Sequence, residues 1–296
     1  MQTSICEKAP RPIGLWMVFG LMVAACVAMV GCDPSNKDTY VPQVVLQGQM
    51  YVGQAPEIRL IHTIPTGDYF DPESVGISGA DVVLTADANS YHLVERTGDP
   101  RGTGYYGLQA PDTHTVTPGM EYSLRVVTGG DTITAATRAA GAVHITRPAD
   151  GTDTVRVMFD AFFEFAIRWD HDSLARGHWL IYENINPHHA DDSTFLCANN
   201  AGPDKRVGVY ASYWSVPPQM DSTNSPPVLF NRDGLHRVRV IACDNALWYW
   251  SNTFAPGMVR QDPTTNVHGA LGLFCAGGVD TTYFYILKNP EFTDCP

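Results

Sequence analysis

Two short stretches of the chain hold the side chains best suited to coordination chemistry. Asp170, His171, Asp172 and His178 form one, and His188, His189, Asp191 and Asp192 form the other. Imidazole and carboxylate ligands gathered around a zinc-type ion could activate water for hydrolysis. Neither stretch has the i,i+4 histidine pair of an HExxH helix, and Asp170-x-Asp172 is only a fragment of a calcium loop. Both are read as solvated polar loops, and a metal-assisted hydrolase built on residues 170–192 is kept as the alternative. Ser78 stands in Gly76-Ile77-Ser78-Gly79. A nucleophile elbow needs GxSxG between a strand and a helix; here the spacing fails and a strand follows, so Ser78 reads as a turn residue. Gly269-Ala270-Leu271-Gly272 lacks the Lys-Ser/Thr of a phosphate loop. It reads as a bend or a close strand approach. No carboxylate pair stands out for glycoside hydrolysis. The chain is therefore read as a non-enzyme, with no catalytic residue, metal or cofactor assigned.

Binding chemistry is better represented. Tyr213-Trp214 and Trp248-Tyr249-Trp250 are aromatic runs, each beside an expected strand. Exposed aromatics on loops can stack on sugar rings or anchor a protein partner. Packing at the end of a sandwich core is the competing reading. Strand alternation would put Trp248 and Trp250 on one face and Tyr249 on the other.

The cysteines report on location. Lys8 and Arg11 precede a 19-residue uncharged run from Ile13 to Gly31, which ends in Met29-Val30-Gly31-Cys32. Small residues before a cysteine are what a lipoprotein signal peptidase requires. Residues 1–31 are thus expected to be a cleaved signal, with Cys32 lipidated and residues 32–41 a polar tether. A transmembrane anchor and an ordinary secretory signal are the alternatives. Cys197, Cys243, Cys275 and Cys295 then remain, an even number in the last hundred residues. In an oxidising compartment they are expected to form two disulfides. Three pairings are open, of which Cys275–Cys295 closes a short loop beside the C-terminus. Zinc is the rival, but no CxxC pair exists.

The 296 residues are 44% apolar and 17% charged, with net charge -12. Such a chain can bury a core. The acidic balance argues against a nucleic-acid partner held by a basic face. Losing the signal with Glu7, Lys8 and Arg11 leaves 265 residues at net charge -13.

Period-two segments separated by turn signals dominate, and almost nothing reads as helix. Strands are expected at 43–52, 57–64, 81–85, 91–96, 104–109, 122–128 and 132–137. Gly129-Gly130-Asp131 closes a hairpin between the last two. Seven short strands in about a hundred residues suggest an immunoglobulin-like sandwich over 42–146. The turn-rich Arg147-Pro148-Ala149-Asp150-Gly151-Thr152 marks a boundary. Strands at 163–169, 179–183, 207–214, 236–243 and 282–287 then suggest a fibronectin-III-like sandwich over 147–296, with an inward Trp169 and long, cysteine-bearing loops. The fold class is all-β.

The order of features is itself informative. After the cysteine come Tyr40-Val41-Pro42-Gln43-Val44-Val45-Leu46-Gln47-Gly48, Ile77-Ser78-Gly79-Ala80-Asp81-Val82-Val83-Leu84, Pro118-Gly119-Met120-Glu121-Tyr122, and finally Asn266-Val267-His268-Gly269-Ala270-Leu271-Gly272-Leu273-Phe274. This resembles an uncharacterised domain-of-unknown-function family of bacterial lipoproteins, often encoded beside TonB-dependent outer-membrane receptors. Ala270 stands where that family often has a second Gly. The resemblance implies a lipid-anchored envelope protein, periplasmic or surface-exposed with the outer membrane favoured. It would bind a partner or nutrient beside a transporter, through loops at the sandwich ends. A structural, adhesin-like spacer is the other alternative.

Overall fold

The structure, a computed structural model, describes residues 40–149, 154–157, 166–170, 173–185, 211–224, 234–253 and 264–288. The expected signal 1–31, Cys32 and most of the tether lie outside the described residues. Among those described, no helix is long and apolar enough to cross a membrane. Among the described residues, Tyr40–Pro42 and Ile64–Tyr69 belong to a small unit of their own, in which the Asp68 N–H donates to the Pro65 carbonyl. The large unit is Gln43–Thr63 with Phe70–Pro296, and it holds all the sheets.

The first strands are β1 Val44–Tyr51, β2 Glu57–His62, β3 Asp81–Ala86, β4 Asn89–Glu95, β5 Tyr105–Gly107, β6 Glu121–Thr128 and β7 Asp131–Arg138. After them come β8 Ile145–Arg147, β9 Thr154–Val157, β10 Ala166–Trp169, β11 Gly177–Asn184, β12 Ala211–Val216, β13 Ser222–Asn224 and β14 Gly234–Cys243. Helix α1 Asn245–Thr253 follows, then β15 Val267–His268, β16 Leu271–Gly277 and β17 Val279–Lys288. The fold is all-β, its strands gathered in sheets around buried apolar cores.

Nine strands make the first sandwich, in the order β15-β7-β6-β3-β4-β5-β2-β1-β16. Alternation drives it. In β6, Tyr122, Leu124 and Val126 are buried while Glu121, Ser123 and Arg125 are exposed. They join Leu46, Met50, Leu60, Leu84, Ile133 and Phe274 in one core. The β6–β7 hairpin turns on Gly129 and Gly130, both at positive φ, where a Cβ would be strained. At the start of β6 the Tyr122 hydroxyl accepts the Thr117 N–H at 2.8 Å. This is the corner bond that Greek-key sandwiches use to fix a strand entry.

The second sandwich sets the sheet β12-β11-β14-β17-β9 against β13-β10-β8. Its core holds Ile145, Ile167, Trp169, Leu180, Tyr182, Val238, Val240 and Phe284. Trp169 points inward as expected and is 3% exposed. The chain does not stay in this sandwich once it has entered. β15 and β16 return to the first sheet, where β16 runs parallel to β1 and β15 pairs with β7. The first sandwich therefore includes two strands from late in the sequence. Gly277 ends β16 where the chain crosses back toward β17, and its lack of a Cβ allows the close pass of β14, since a Cβ there would collide with the Ala242 carbonyl oxygen.

Residues 245–253 correct the sequence reading. They form a helix, so Trp248, Tyr249 and Trp250 point in three directions rather than alternating across a strand. The cause is the residue before it. Asp244 caps the helix, its carboxylate accepting the Leu247 N–H at 2.8 Å.

Candidate ligand cleft

The outer face of the first sheet is where the two sandwiches meet. In β1, Leu46, Gly48 and Met50 turn to the core, so Val45, Gln47, Gln49 and Tyr51 must turn out. Register then lines up a row across the sheet. Gln47 stands between Leu273 of β16 and Arg59 of β2, and Arg59 stands beside Tyr105 of β5. This row floors a cleft of about 470 Å³ whose far wall is Trp179 of β11 with Leu247 and Trp250 of α1. Trp179 and Trp250 meet edge to face, with centroids 6.2 Å apart at 76°. Such pairs contribute about 0.5–1.5 kcal/mol beyond the area they bury.

One end of the cleft is held by ions. Arg101 grips Glu57 with two hydrogen bonds, 2.6 and 2.9 Å, and reaches Asp99 at 2.6 Å. Arg96 adds a 2.9 Å contact to Glu57. Hydrogen bonds from Arg101 hold the Asp99 carboxyl down at about 2. The guanidiniums of Arg101 and Arg59 both lie over the Tyr105 ring, at 4.1 and 4.7 Å. Arg59 itself donates to the Thr103 and Pro72 carbonyls. Arg96 and Arg101 are thus paired with carboxylates, while two donors of Arg59 go to the backbone.

The helical wall is fixed by Asp244, which is 3% exposed. Beyond its cap, the carboxylate accepts the Ala276 N–H of β16 at 2.7 Å and the Thr137 hydroxyl of β7. One buried side chain therefore ties α1 to two strands of the first sheet. Burial raises its pKa, and the hydrogen bonds oppose that rise. Asn266 does similar work beside it. Its amide donates to the Ala136 and Phe274 carbonyls and accepts the Phe274 N–H. Together with Ala140 N–H donating to Ala276, these side chains close the edge of β16.

The aromatic residues singled out from the sequence have separate fates. Trp250 lines the cleft. Trp248 packs on Gly177, where a Cβ would strike its ring. Tyr249 is 49% exposed and lines a different depression with Arg138 and Asn245. Tyr213 and Trp214 belong to β12, and their side chains lie outside the described residues. They are therefore not one cluster. Sequence reasoning missed Gln47, Gln49, Arg59, Tyr105 and Trp179. The alternation of VVLQGQMY signals which face the two glutamines share, but nothing local signals what covers that face.

Two of the four cysteines expected in disulfides, Cys243 and Cys275, lie among the described residues. Cys243 and Cys275 are both buried free thiols. Alternation turns them into the apolar seam with Ile181, Ile241 and Leu247, where cysteine packs as a small hydrophobe. Burial pushes both thiols well above their usual range. Cys197 and Cys295 lie outside the described residues.

Of the metal candidates, His178 sits in β11 rather than in a loop, with no exposed surface and its ring 5.2 Å from Trp169. It belongs to the second core. Asp170 follows β10, with its N–H donating to the His144 carbonyl. His171, Asp172, His188, His189, Asp191 and Asp192 lie outside the described residues. Among the described residues, no three His, Cys, Asp or Glu side chains gather closely enough to hold a metal. Ser78 is a turn residue whose hydroxyl donates to Glu95 at 2.6 Å.

No protein-family model matches the chain, and no curated protein sequence matches it. Among solved structures, a three-domain fragment of titin, I67–I69, is similar over 83% of this chain and 66% of its own length, just under two thirds, at 8% identity and a TM-score of 0.20. The titin pair A168–A169 is similar over 83% of this chain and 96% of its own, at 11% identity and a TM-score of 0.20. At these TM-scores the likeness carries no argument about this protein.

Proposed function

We propose that this chain is a lipid-anchored cell-envelope protein that works by binding, with the cleft between β1, β16 and α1 as its ligand seat. The observation that carries the reading is the cleft itself. Its volume falls within the ~300–1,000 Å³ of small-molecule sites, and it pairs an apolar wall with a few converging polar groups. Its carboxylate, Glu57, is held by Arg96 and Arg101, which suits holding a shape rather than moving a proton. Anchoring is supported by the uncharged run that ends at Cys32. Each buried acyl CH₂ contributes roughly 0.8 kcal/mol, and two or more chains give stable attachment. Placement beside an outer-membrane nutrient transporter rests on the resemblance described above.

The test is site-specific photo-crosslinking in native membranes. A photoreactive residue at Gln49, on the cleft floor, is compared with one at Thr132, exposed on β7. The reading expects a defined adduct from Gln49 and none from Thr132. Labelling from Thr132 alone, or from neither, overturns the cleft as the seat.

A further inference from the structure

We propose that the cleft takes a neutral oligosaccharide, an inference that rests on the cleft being the ligand seat. The chemistry of its floor and walls narrows the class. Gln47 and Gln49 lie two residues apart on one face of β1, so their Cα atoms stand roughly 7 Å apart and their side chains leave the same face. Each amide offers donors and an acceptor side by side. A hydroxyl pair on a sugar ring matches that combination, because each hydroxyl both donates and accepts. The facing wall is Trp179 and Trp250, large flat surfaces with an indole N–H each. A pyranose ring has the complementary form: a C–H face for the indole and a hydroxyl rim for the amides.

Other classes fit less well, each for a reason visible in the cleft. An ionic ligand would need a charged group with open hydrogen-bonding sites, but Glu57 is held by Arg96 and Arg101, and Arg59 is 8% exposed with its Nε and one Nη donating to carbonyls. The chain's net charge of -12 also repels polyanions. An extended peptide gains most of its affinity by adding a strand to an open edge. Here β1 is paired on both sides, and the edge of β16 is closed by Asn266, Asp244 and Ala140. A fatty chain would strip water from Gln47 and Gln49 without returning hydrogen bonds. A neutral sugar satisfies the amides, uses the indoles and requires neither free charge nor a free edge.

The experiment uses the lipidated mature protein in detergent on immobilised neutral hexasaccharides: cellohexaose, xylohexaose, mannohexaose, maltohexaose and chitohexaose. Saturable binding of at least one is expected. Trp250→Ala should weaken it about thirtyfold, as loss of an aromatic anchor does. Gln47→Ala should weaken it about fivefold, the effect of one lost hydrogen bond. Gln47 is exposed on a paired strand, so its truncation leaves the fold intact even if the tryptophan change does not. Tyr249→Ala, outside the cleft, should leave binding unchanged. If no hexasaccharide binds, or if binding ignores Gln47→Ala, the sugar inference fails. Should that happen while Gln49 still cross-links in membranes, the seat stands and only the ligand class is wrong. If Gln49 forms no adduct either, both fail.

Discussion

At the scale of single residues, the same amino-acid type does different work according to what surrounds it. Cys32, Cys243 and Cys275 share a thiol, but only the first follows an uncharged run suited to processing. Cys32→Ser is expected to release the protein from the membrane fraction or leave it unprocessed, read by fractionation and by the mass of the mature N-terminus. Cys243 and Cys275 sit in the apolar seam with their ionisation opposed by burial. A thiol reagent should leave both untouched in the folded protein and modify both, with no reductant added, once denaturant is present. Modification of neither in denaturant would show them bonded. Glu183 offers a third case. Arg237 donates to it at 2.7 Å, and this hydrogen bond, joined by Arg239, lowers its pKa. A carboxylate with a depressed folded pKa adds stability above its unfolded value near 4.3, and that stability is lost as pH falls through the folded value. Glu183→Gln should therefore cost about 1 kcal/mol at pH 7. The gap from wild type should narrow as pH falls below the unfolded value and close only below the lowered folded value, as read by denaturant titrations.

Among elements, α1 shows most plainly where local pattern stops being informative. The strands were legible because alternation, turns and β-branched residues agree in segments such as 121–128 and 131–138. NALWYWSNT has no polar–apolar period strong enough to separate helix from strand. Its conformation is decided by Asp244, whose cap and two bonds to the first sheet are long-range facts. The return of β15 and β16 is hidden for the same reason. Their sequence reads as strand, but their partners β7 and β1 lie more than a hundred residues upstream. Asp244→Ala should lower stability by about 2–3 kcal/mol, from the lost cap and the stranded Ala276 N–H, as measured by urea unfolding. An effect below 0.5 kcal/mol would mean that α1 is held by packing alone. Gly177→Ala makes a separate test of the helix face. The new methyl would displace the Trp248 ring, and a comparable loss of stability is expected.

Taken as a whole, the molecule places its cleft, the proposed ligand seat, where the two sandwiches meet rather than at the loops at their ends. The aromatic composition of residues 248–250 pointed toward binding, yet only Trp250 reaches the cleft, and its partners come from β1, β2, β5, β11 and β16. Most of the site was thus unreadable until the register of five strands was known. The cleft also separates Trp250 from its neighbour Tyr249, which is 49% exposed and lines a different depression. That contrast supplies the most direct measurement of the central claim. Trp250→Ala and Tyr249→Ala are prepared as full, lipidated chains, and ligand adducts from a photoreactive Gln49 are quantified at a temperature where unfolding curves show each variant folded. The account predicts that Trp250→Ala abolishes most of the adduct and Tyr249→Ala leaves it at the wild-type level. Loss with Tyr249→Ala and retention with Trp250→Ala would contradict it.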